Sequence, residues 1–331
     1  MTEQQRLEEL MKRLDRATAE AFLVYVAAIK SPAMIREVER LIAGNRIDDA
    51  IRIIDSHLSR FASVIPRNYT RVGESTVTSL EDTVRRLRPR IAISFDPAHP
   101  RAAAQMQRQA LDLISRIGDD QRTSIRNALV EAFNEGAGPR QAARAYRSAI
   151  GLTDSQREAV KRYRSLLERG SVAALERGLA DRRYSPGSDT LAARRDYMES
   201  LTPADIDRMV EAYERKYVKY RSEVIARTET TETVNAANEE AFAQTMEQAA
   251  IGDEYIERTW QYTHDPRTRD SHKTMRTRVV RGMNTRFVTG LGNSALRPGD
   301  PALPAEDKIQ CRCVCVHRIL RAEEVQTGNV S

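Results

Sequence analysis

The chain has 331 residues, of which 40% are hydrophobic and 30% are charged, and its formal net charge is +6. This composition is typical of folded globular domains and excludes a disordered chain, while the length is sufficient for two modest domains. Only 5% of the residues are aromatic, and alanine, leucine, arginine and glutamate are frequent, so the composition favours a mainly helical protein.

The sequence predicts neither a membrane span nor a secretory signal. The longest apolar run covers residues 21–29, which is about half of what a transmembrane helix needs, and charged residues precede it. The three cysteines, Cys311, Cys313 and Cys315, are spaced by single residues and do not suit a disulfide framework. We therefore expect synthesis in a reducing cytoplasm and no membrane partner.

The first ninety residues predict consecutive helices. Residues 3–30 are amphipathic, and a Ser-Pro pair at residues 31–32 provides an N-cap and a first helical residue for a second helix that ends at Gly44. Apolar positions at helical spacing predict a third helix over residues 46–64. These helices define an N-terminal helical region over residues 1–95.

A central helical region is expected over residues 96–250. Two prolines within residues 91–100 interrupt the first set of helices and predict a strand or an extended linker at the boundary. Turns are then predicted at Gly118, at residues 136–139 and at residues 151–154. The helices between these turns lead to one long helix at the end of the region.

Thr202 and Pro203 begin this long helix as its N-cap and first helical residue. Polar residues replace its apolar stripe over residues 226–233 and again at Asn235 and Asn238, on the side that should be buried. The sequence allows two explanations. Either the helix leaves the core here, or its polar side chains form hydrogen bonds with a buried polar partner.

Beyond Gly252, short alternating stretches predict a small α+β module over residues 251–321, followed by a tail over residues 322–331. Strands are expected at residues 255–264, 286–289 and 311–320. The predicted fold class is therefore mainly α, with an extended multi-helix N-terminal and central region and a small C-terminal α+β module.

The residues capable of specific chemistry concentrate in this module. It contains the single tryptophan, all three cysteines and three of the five histidines. Asp265 as an N-cap and Pro266 as a first helical residue predict a short helix that carries His272 and ends near Met275. On a strand, residues spaced by two project to one face, so a single face is expected to carry Cys311, Cys313, Cys315 and His317.

Zinc is one chemistry that this grouping allows, because thiolates and imidazoles are its preferred ligands. The candidate ligands are His264, His272, Cys311, Cys313, Cys315 and His317. The spacing Cys-x-Cys-x-Cys differs from the paired Cys-x-x-Cys of many zinc folds. The expectation is therefore a protein without a cofactor, in which the cysteines form a small buried face of reduced thiols.

A catalytic interpretation would make Cys311 or Cys313 a nucleophile, with His272 as its base and Asp265 or Asp270 as the residue that orients the base. Structural networks of these residue types are commoner than catalytic ones. The sequence also contains no Walker loop, nucleophile elbow or His-Glu-x-x-His motif. We therefore expect that the protein is not an enzyme.

Positive charge is concentrated in the same part of the chain. Residues 260–321 hold twelve basic and five acidic side chains, an excess that favours binding to polyanions such as DNA. The candidate DNA-binding residues are Arg276, Arg278, Arg281 and Arg286. The alternative is that the arginines pair with local carboxylates and with an acidic surface of a protein partner.

Together these segments resemble the phage head morphogenesis family, the Mu protein F-like minor head proteins. The matching elements occur in the family's order and extend over about half of the chain. The resemblance is carried by Arg227, Thr228, Glu229, Asn235, Trp260, Asp265, Arg267, Arg269, His272, Phe287, Asp300, Pro301, Cys311, Arg312 and Cys313. The chain departs from the family's pattern at Arg281 with Gly282, and in its third cysteine, Cys315.

The resemblance implies a minor capsid protein of a tailed double-stranded DNA phage or prophage, made in the bacterial host cytoplasm and located in the head near the portal vertex. The implied partners are the portal protein, a major capsid or scaffolding protein, and double-stranded DNA. The implied role is procapsid assembly together with DNA packaging or ejection. Two alternatives remain from the residues themselves: a zinc-dependent nucleic-acid-binding module or nuclease, and a metal-free DNA-binding assembly factor.

Overall fold

The computed structural model describes residues 1–264, 266–275 and 278–326, and Asp265 and Arg276 lie outside these ranges. The helices are α1 (Glu3–Ile29), α2 (Pro32–Ala43), α3 (Ile47–Ala62), α4 (Val64–Leu87), α5 (Pro100–Asn134), α6 (Pro139–Ala149), α7 (Asp154–Glu168), α8 (Leu191–Glu199), α9 (Pro203–Ala249), α10 (Asp270–Lys273), α11 (Ala305–Lys308) and α12 (Ala322–Gln326). The strands are β1 (Ile256–Gln261), β2 (Val279–Arg281), β3 (Phe287–Val288), β4 (Ser294–Ala295) and β5 (Val314–Ile319). This is the predicted fold class, mainly α with a small C-terminal α+β module. Within the described ranges no single helix is long and apolar enough to cross a membrane, and α1 and α2 meet that test only as a bent pair.

The chain forms two compact units, each assembled from segments that are distant in sequence. The first unit contains Met1–Ala21, Ala62–Leu113 and Glu223–Ser331, and the second contains Phe22–Phe61 and Ile114–Ser222. The sequence predicted three consecutive regions, over residues 1–95, 96–250 and 251–321. These regions do not coincide with the two compact units, and they stay a prediction.

The core of the first unit contains residues of α1, α4 and α9 together with one residue of β5. Leu7 and Leu14 of α1, Tyr69 of α4 and Val234 of α9 are buried and pack in one cluster with Val314 of β5. Burying a side chain of this size stabilises a fold by about 1.5–3 kcal/mol. The N-terminal helix is therefore part of the unit that contains the C-terminal strands.

The core of the second unit is built around stacked tyrosines. The rings of Tyr163 on α7 and Tyr213 on α9 are stacked with their centroids 4.1 Å apart, and Leu167, Met198 and Met209 pack around them. A stacked aromatic pair of this kind contributes about 0.5–1.5 kcal/mol beyond the burial of its area.

The C-terminal sheet has two outer edges, one on β2 and one on β5. Its order is β2-β1-β5, and β1 pairs antiparallel with both of the others. The register of β1 and β5 places Trp260 opposite Cys315 and Arg258 opposite His317, while β3 and β4 form a separate pair. Backbone groups at the outer edge of β5 need partners from elsewhere in the molecule.

Most helix boundaries agree with the predictions, and one predicted turn is wrong. Ser31 caps α2 and Thr153 caps α7, as the sequence indicated. The turn predicted at Gly118 is absent because α5 continues through it. One glycine costs a helix about 1 kcal/mol, and the burial of Ile117 and Ile125 on either side contributes more than that.

The elements around the cysteines and His272 are shorter than predicted. Pro266 does not begin a helix, because it lies in a turn in which the Thr268 hydroxyl donates a hydrogen bond to the Thr263 carbonyl at 2.6 Å, and α10 starts only at Asp270. The strand predicted from residue 311 begins at Val314. Strands β2 and β4 were not predicted, since two or three residues carry too little alternation to be recognised.

The loop at residues 298–301 lies against the backbone of α9. Gly299 has φ +77°, and a Cβ atom at this position would lie 2.9 Å from the Glu232 nitrogen. The Asp300 carboxylate in the same loop accepts a hydrogen bond from the Leu296 backbone N–H at 2.7 Å. Glycine suits both the left-handed backbone and the limited space, so this loop docks on α9 through a contact that a larger residue would disturb.

Gly299→Ala is expected to lower the free energy of unfolding by about 2–5 kcal/mol, because the left-handed backbone costs alanine about 1–2 kcal/mol and overpacking adds about 1–3 kcal/mol. Gly292→Ala is the matched control, since Gly292 has φ +81° and open space around the added Cβ. Denaturant unfolding of both variants measures the difference. Equal losses would contradict the close approach to α9.

Candidate functional site

The polar stretch of α9 is buried in the first unit. Thr231, Asn235 and Asn238 have no exposed surface, and Glu232 and Thr233 are at most 3% exposed. The explanation that the helix leaves the core here is therefore wrong. The second explanation applies, because these side chains have buried polar partners.

The partners are backbone groups at the edge of β5 and in the residues before it. The Thr231 hydroxyl donates a hydrogen bond to the Cys311 carbonyl at 2.5 Å. The Asn235 amide nitrogen donates to the Cys313 carbonyl at 3.1 Å, and the Asn235 oxygen accepts from the Cys315 backbone N–H at 2.7 Å. Asn235 thus satisfies one acceptor and one donor, as a neighbouring strand would.

Asn238 and Glu3 continue this pairing along β5. The Asn238 amide nitrogen lies 3.3 Å from the Cys315 carbonyl, and the Glu3 carboxylate accepts from the His317 backbone N–H and from Asn238, each at 3.1 Å. The spacings are compatible, since one helical turn rises about 5.4 Å and two strand residues about 6.6 Å. We call four side chains the edge ladder: Thr231, Asn235, Asn238 and Glu3.

Two basic residues of the module have their carboxylate partners on α9. Arg297 lies 3.0 Å from Glu239, and Lys308 lies 2.7 Å from Glu232. Burial raises the pKa of both glutamates, and the neighbouring cations oppose that rise. Removing one partner of such a buried pair would leave an uncompensated charge, so these pairs tie the module to the helix.

The candidate DNA-binding arginines differ in their surroundings. Arg286 lies 3.4 Å from the Asp300 carboxylate, and Arg281 donates to a carbonyl of α12 at 3.3 Å. Arg278 is exposed, while Arg276 lies outside the described residues. Intramolecular pairing therefore accounts for part of the positive charge that the sequence concentrates here.

The structure brings His272, Cys311 and Cys313 together in the core of the module. His272 Nδ1 lies 3.5 Å from Cys311 Sγ and 3.4 Å from Cys313 Sγ. The three side chains are between 1% and 4% exposed. Trp260 packs edge-on against His272, with ring centroids 5.4 Å apart, and also against Phe287 at 5.6 Å. These aromatic rings close the cluster on one side.

The other three candidate metal ligands lie elsewhere. His264 is exposed. Cys315 lies two residues beyond Cys313, which is about 6.6 Å farther along the strand. His317 packs against Phe242, with ring centroids 4.9 Å apart. Since β5 begins only at Val314, the single face predicted for the cysteines and His317 does not gather all four around one point.

Asp307 contacts His272 on the side away from the sulfurs, and nothing in the sequence indicated this. Its Oδ1 atom lies 3.4 Å from His272 Nε2. Ser271, Thr289 and Asn293 donate hydrogen bonds to the Asp307 carboxylate at 2.7–2.9 Å. Burial raises the pKa of Asp307, but these hydrogen bonds outweigh burial and hold the pKa below its usual value. The carboxylate is therefore ionised and fixed in orientation.

The structure differs in two ways from the catalytic arrangement that the sequence suggested: another aspartate lies beside His272, and the candidate nucleophilic sulfurs are buried. Asp270 is exposed and pairs with Lys273 at 2.8 Å, so Asp307 takes the position expected for it. The hydrogen bond with Cys313 and then His272 hold the pKa of Cys311 well below its usual value despite burial, whereas burial raises the pKa of Cys313. Both sulfurs are nevertheless enclosed, and a reactive cysteine needs access to its substrate.

The signature residues on α9 are largely engaged within the first unit. Thr228 accepts a hydrogen bond from the Gln310 backbone N–H at 3.1 Å. The backbone carbonyl of Glu229 accepts one from the Gln109 amide at 3.0 Å. Both residues therefore help to position the segments that pack against α9.

Three signature arginines line one surface cleft of about 300 Å³ in the first unit: Arg227, Arg267 and Arg312. They come from α9, from the turn after β1 and from the Cys-Arg-Cys sequence. Asp15 also lines the cleft and lies 3.7 Å from Arg227. Lys12 and Glu8 complete its charged lining, so four basic side chains and two acidic ones line a cleft that is open to solvent.

The remaining signature residues of the module contribute to its packing. Arg269 donates to the Ile309 carbonyl at 2.6 Å. The guanidinium of the buried Arg258 lies over the Phe287 ring at 5.5 Å. Pro301 is half-buried and follows Asp300 in the loop on α9. Most of the residues that carry the family resemblance therefore contribute to packing or hydrogen bonding within the first unit.

Comparison with known proteins adds one match. A sequence model of the family described as phage Mu protein F like protein matches residues 123–316. This range covers more than half of the chain and includes α9, the sheet up to the first half of β5, and the cluster of His272, Cys311 and Cys313. No curated protein and no solved structure matches the chain significantly.

Asn235→Leu is expected to lower the free energy of unfolding by about 2–6 kcal/mol. Leucine keeps the volume but leaves the Cys313 carbonyl and the Cys315 N–H buried without partners, at about 1–3 kcal/mol each. Asn284→Leu is the control, because Asn284 is exposed. Denaturant unfolding measures both. A loss no larger than that of the control would contradict the role of Asn235 in the edge ladder.

His317 is expected to make the fold sensitive to acid. Burial, followed by the nearby charge of Arg258, lowers its pKa from 6.5 to about 3. Between these pH values the unfolded state binds a proton that the folded state does not, so stability falls as the pH drops below 6.5. Relative to His317→Asn, the unmodified protein should lose about 1.4 kcal/mol per pH unit between pH 6 and 4. Urea unfolding at each pH measures this difference. If the free energies of unfolding of the unmodified protein and of His317→Asn changed in parallel with pH, the prediction would be contradicted.

Proposed function

The chain belongs to the phage Mu protein F-like family of head morphogenesis proteins, and on that basis we propose that it is a minor capsid protein of a tailed double-stranded DNA phage or prophage. In this proposal it is made in the bacterial cytoplasm and becomes part of the head at the portal vertex. Its partner is the portal protein, and its role is procapsid assembly. A major capsid or scaffolding protein is a further partner in this scheme.

The positions of the signature residues support a structural role. Asn235, Trp260 and Asp300 are buried and serve the fold or the docking of the module on α9. The cluster that most resembles a catalytic site is enclosed. We therefore propose that the protein acts as a scaffold component and not as an enzyme.

The surface cleft of Arg227, Arg267 and Arg312 is the proposed contact for the portal protein. Buried signature residues are needed for the fold, whereas these three arginines line a cleft that is open to solvent. Guanidinium groups form paired hydrogen bonds with carboxylates, so the expected surface on the portal protein is acidic. This contact rests on family membership for the identity of the partner and on the cleft for its chemistry.

Contact with DNA during packaging or ejection is a second part of the proposal. It is motivated by the basic character of residues 260–321 and by the exposure of Arg278. At least five basic residues of this segment already pair with carboxylates: Lys273, Arg286, Arg297, Lys308 and Arg318. The proposed DNA contact therefore neutralises fewer phosphates than the net charge suggests, so both its affinity and the dependence of that affinity on salt are smaller.

Co-expression with the cognate portal protein tests this function. We expect the tagged chain to capture the portal protein at moderate salt, and capture to survive nuclease treatment because it does not depend on DNA. Arg267→Glu should reduce capture at least tenfold by placing an acidic side chain in the cleft, whereas Arg126→Glu at an exposed site of the second unit should leave capture unchanged.

Two results would count against the proposal. Absence of capture at every salt concentration would contradict the association with the portal protein. Loss of capture after nuclease treatment would instead identify DNA as the bridge between the two proteins, and would favour the DNA-binding assembly factor.

A further inference from the structure

The cluster of His272, Cys311 and Cys313 has the dimensions of a metal site. The ligand atoms Nδ1, Sγ and Sγ all lie within 4.8 Å of one another. A tetrahedral zinc ion with Zn–S of about 2.3 Å and Zn–N of about 2.0–2.1 Å holds a sulfur and a nitrogen ligand about 3.5 Å apart. The observed distances from His272 Nδ1 to the two sulfurs are 3.5 Å and 3.4 Å.

Hydrogen bonding alone does not account for both of these contacts. A neutral imidazole Nδ1 atom carries either one proton or one in-plane lone pair, so it forms one good hydrogen bond. Here two sulfurs lie at nearly the same distance from it. A metal ion between the three atoms would bond to all of them, and both sulfurs would then be thiolates.

The surroundings of the cluster resemble the outer shell of a metal site. Histidines that bind metals through one ring nitrogen usually donate the other N–H to a carboxylate. Asp307 lies 3.4 Å from His272 Nε2 on the side away from the sulfurs, close by but without a formed hydrogen bond, and its own hydrogen bonds fix its orientation. The Cys313 backbone N–H also donates to Cys311 Sγ at 3.4 Å, a contact that suits a thiolate.

A second observation comes from Trp260. Its indole N–H is buried and forms no hydrogen bond among the described residues, with sulfur acceptors included. This N–H lies near the Cys313 sulfur, and a thiolate there would accept a stronger hydrogen bond than a thiol. The indole is therefore an unused donor near one of the three ligand atoms.

We propose that His272 Nδ1, Cys311 Sγ and Cys313 Sγ bind one zinc ion, with a water molecule as the fourth ligand. The ion binds both sulfurs as thiolates, so any proton that they hold is released to solvent, and no oxidation state changes. The ion joins α10 to the segment that enters β5, in addition to the hydrogen bonds that Arg269 and Ser271 already form with that part of the chain. Three protein ligands and one water are the coordination usual for catalytic zinc, but the three ligands here are buried, so the role proposed for this ion is structural.

Cys315 provides the internal comparison. It is buried in the same core, two residues beyond Cys313, but it does not belong to the set of three ligand atoms. If burial of the thiols alone determined metal binding, Cys315 would be equivalent to the other two cysteines. In the proposed site, only Cys311 and Cys313 bind the ion.

Metal analysis of the purified full-length chain tests the proposal, after dialysis against buffer with trace zinc and no chelator. We expect about one zinc per chain in the unmodified protein and in Cys315→Ala. We expect loss of this zinc in Cys311→Ser and in Cys313→Ser. Asp307→Asn, a change in a positioning residue, should keep the metal but weaken its affinity about 10–100-fold in competition with a chromogenic chelator.

A measurement on the unmodified protein covers the case in which the serine variants do not fold. Replacement of zinc by Co²⁺ should give thiolate-to-cobalt charge-transfer absorption in the near ultraviolet, together with intense visible bands of a tetrahedral site. Chelation should lower the Tm of the unmodified protein. A zinc-free protein whose Tm responds to neither zinc nor chelator would overturn the proposal, as would zinc retained by a Cys311→Ser, Cys313→Ser double variant.

Discussion

The open edge of β5 is the constraint on which the arrangement of the first unit depends. Five backbone groups between Cys311 and His317 receive their partners from side chains, and each would cost about 1–3 kcal/mol if buried without one. Thr231, Asn235 and Asn238 supply four of these contacts from a single helix. A helix that acts as a strand neighbour through its side chains must carry polar residues where a core-facing helix normally carries apolar ones.

This constraint explains why the family signature spans segments that are far apart in sequence. The polar residues of α9, the Cys-Arg-Cys sequence and the loop at residues 298–301 form one packed arrangement, in which Gly299 approaches the helix backbone. Glu232 and Glu239 on the same helix compensate charges of the module. The signature therefore describes how a small module is fastened to a long helix, which suits a component of an assembly.

The same arrangement affects the two functions that the sequence left open, which are DNA binding by the basic residues and metal binding or catalysis by the cysteines and His272. The positive charge of the module is partly neutralised within the fold, so net charge alone overstates its attraction for DNA. The thiols and His272 are buried, and Trp260 packs against both His272 and Phe287. This burial supports the proposed structural role of the cluster more than a catalytic one.

The sequence alone determined the mainly α fold class, most helix boundaries and the family, because periodic apolar positions, caps and ordered motifs are local signals. It also placed His272 and the cysteines in one module. Only the tertiary structure decided that Thr231, Asn235 and Asn238 face the edge of β5, that Asp307 and not Asp270 contacts His272, and that Cys315 and His317 stand apart from the cluster. These outcomes depend on where β5 begins and on which segments meet across long loops, and no local pattern encodes either.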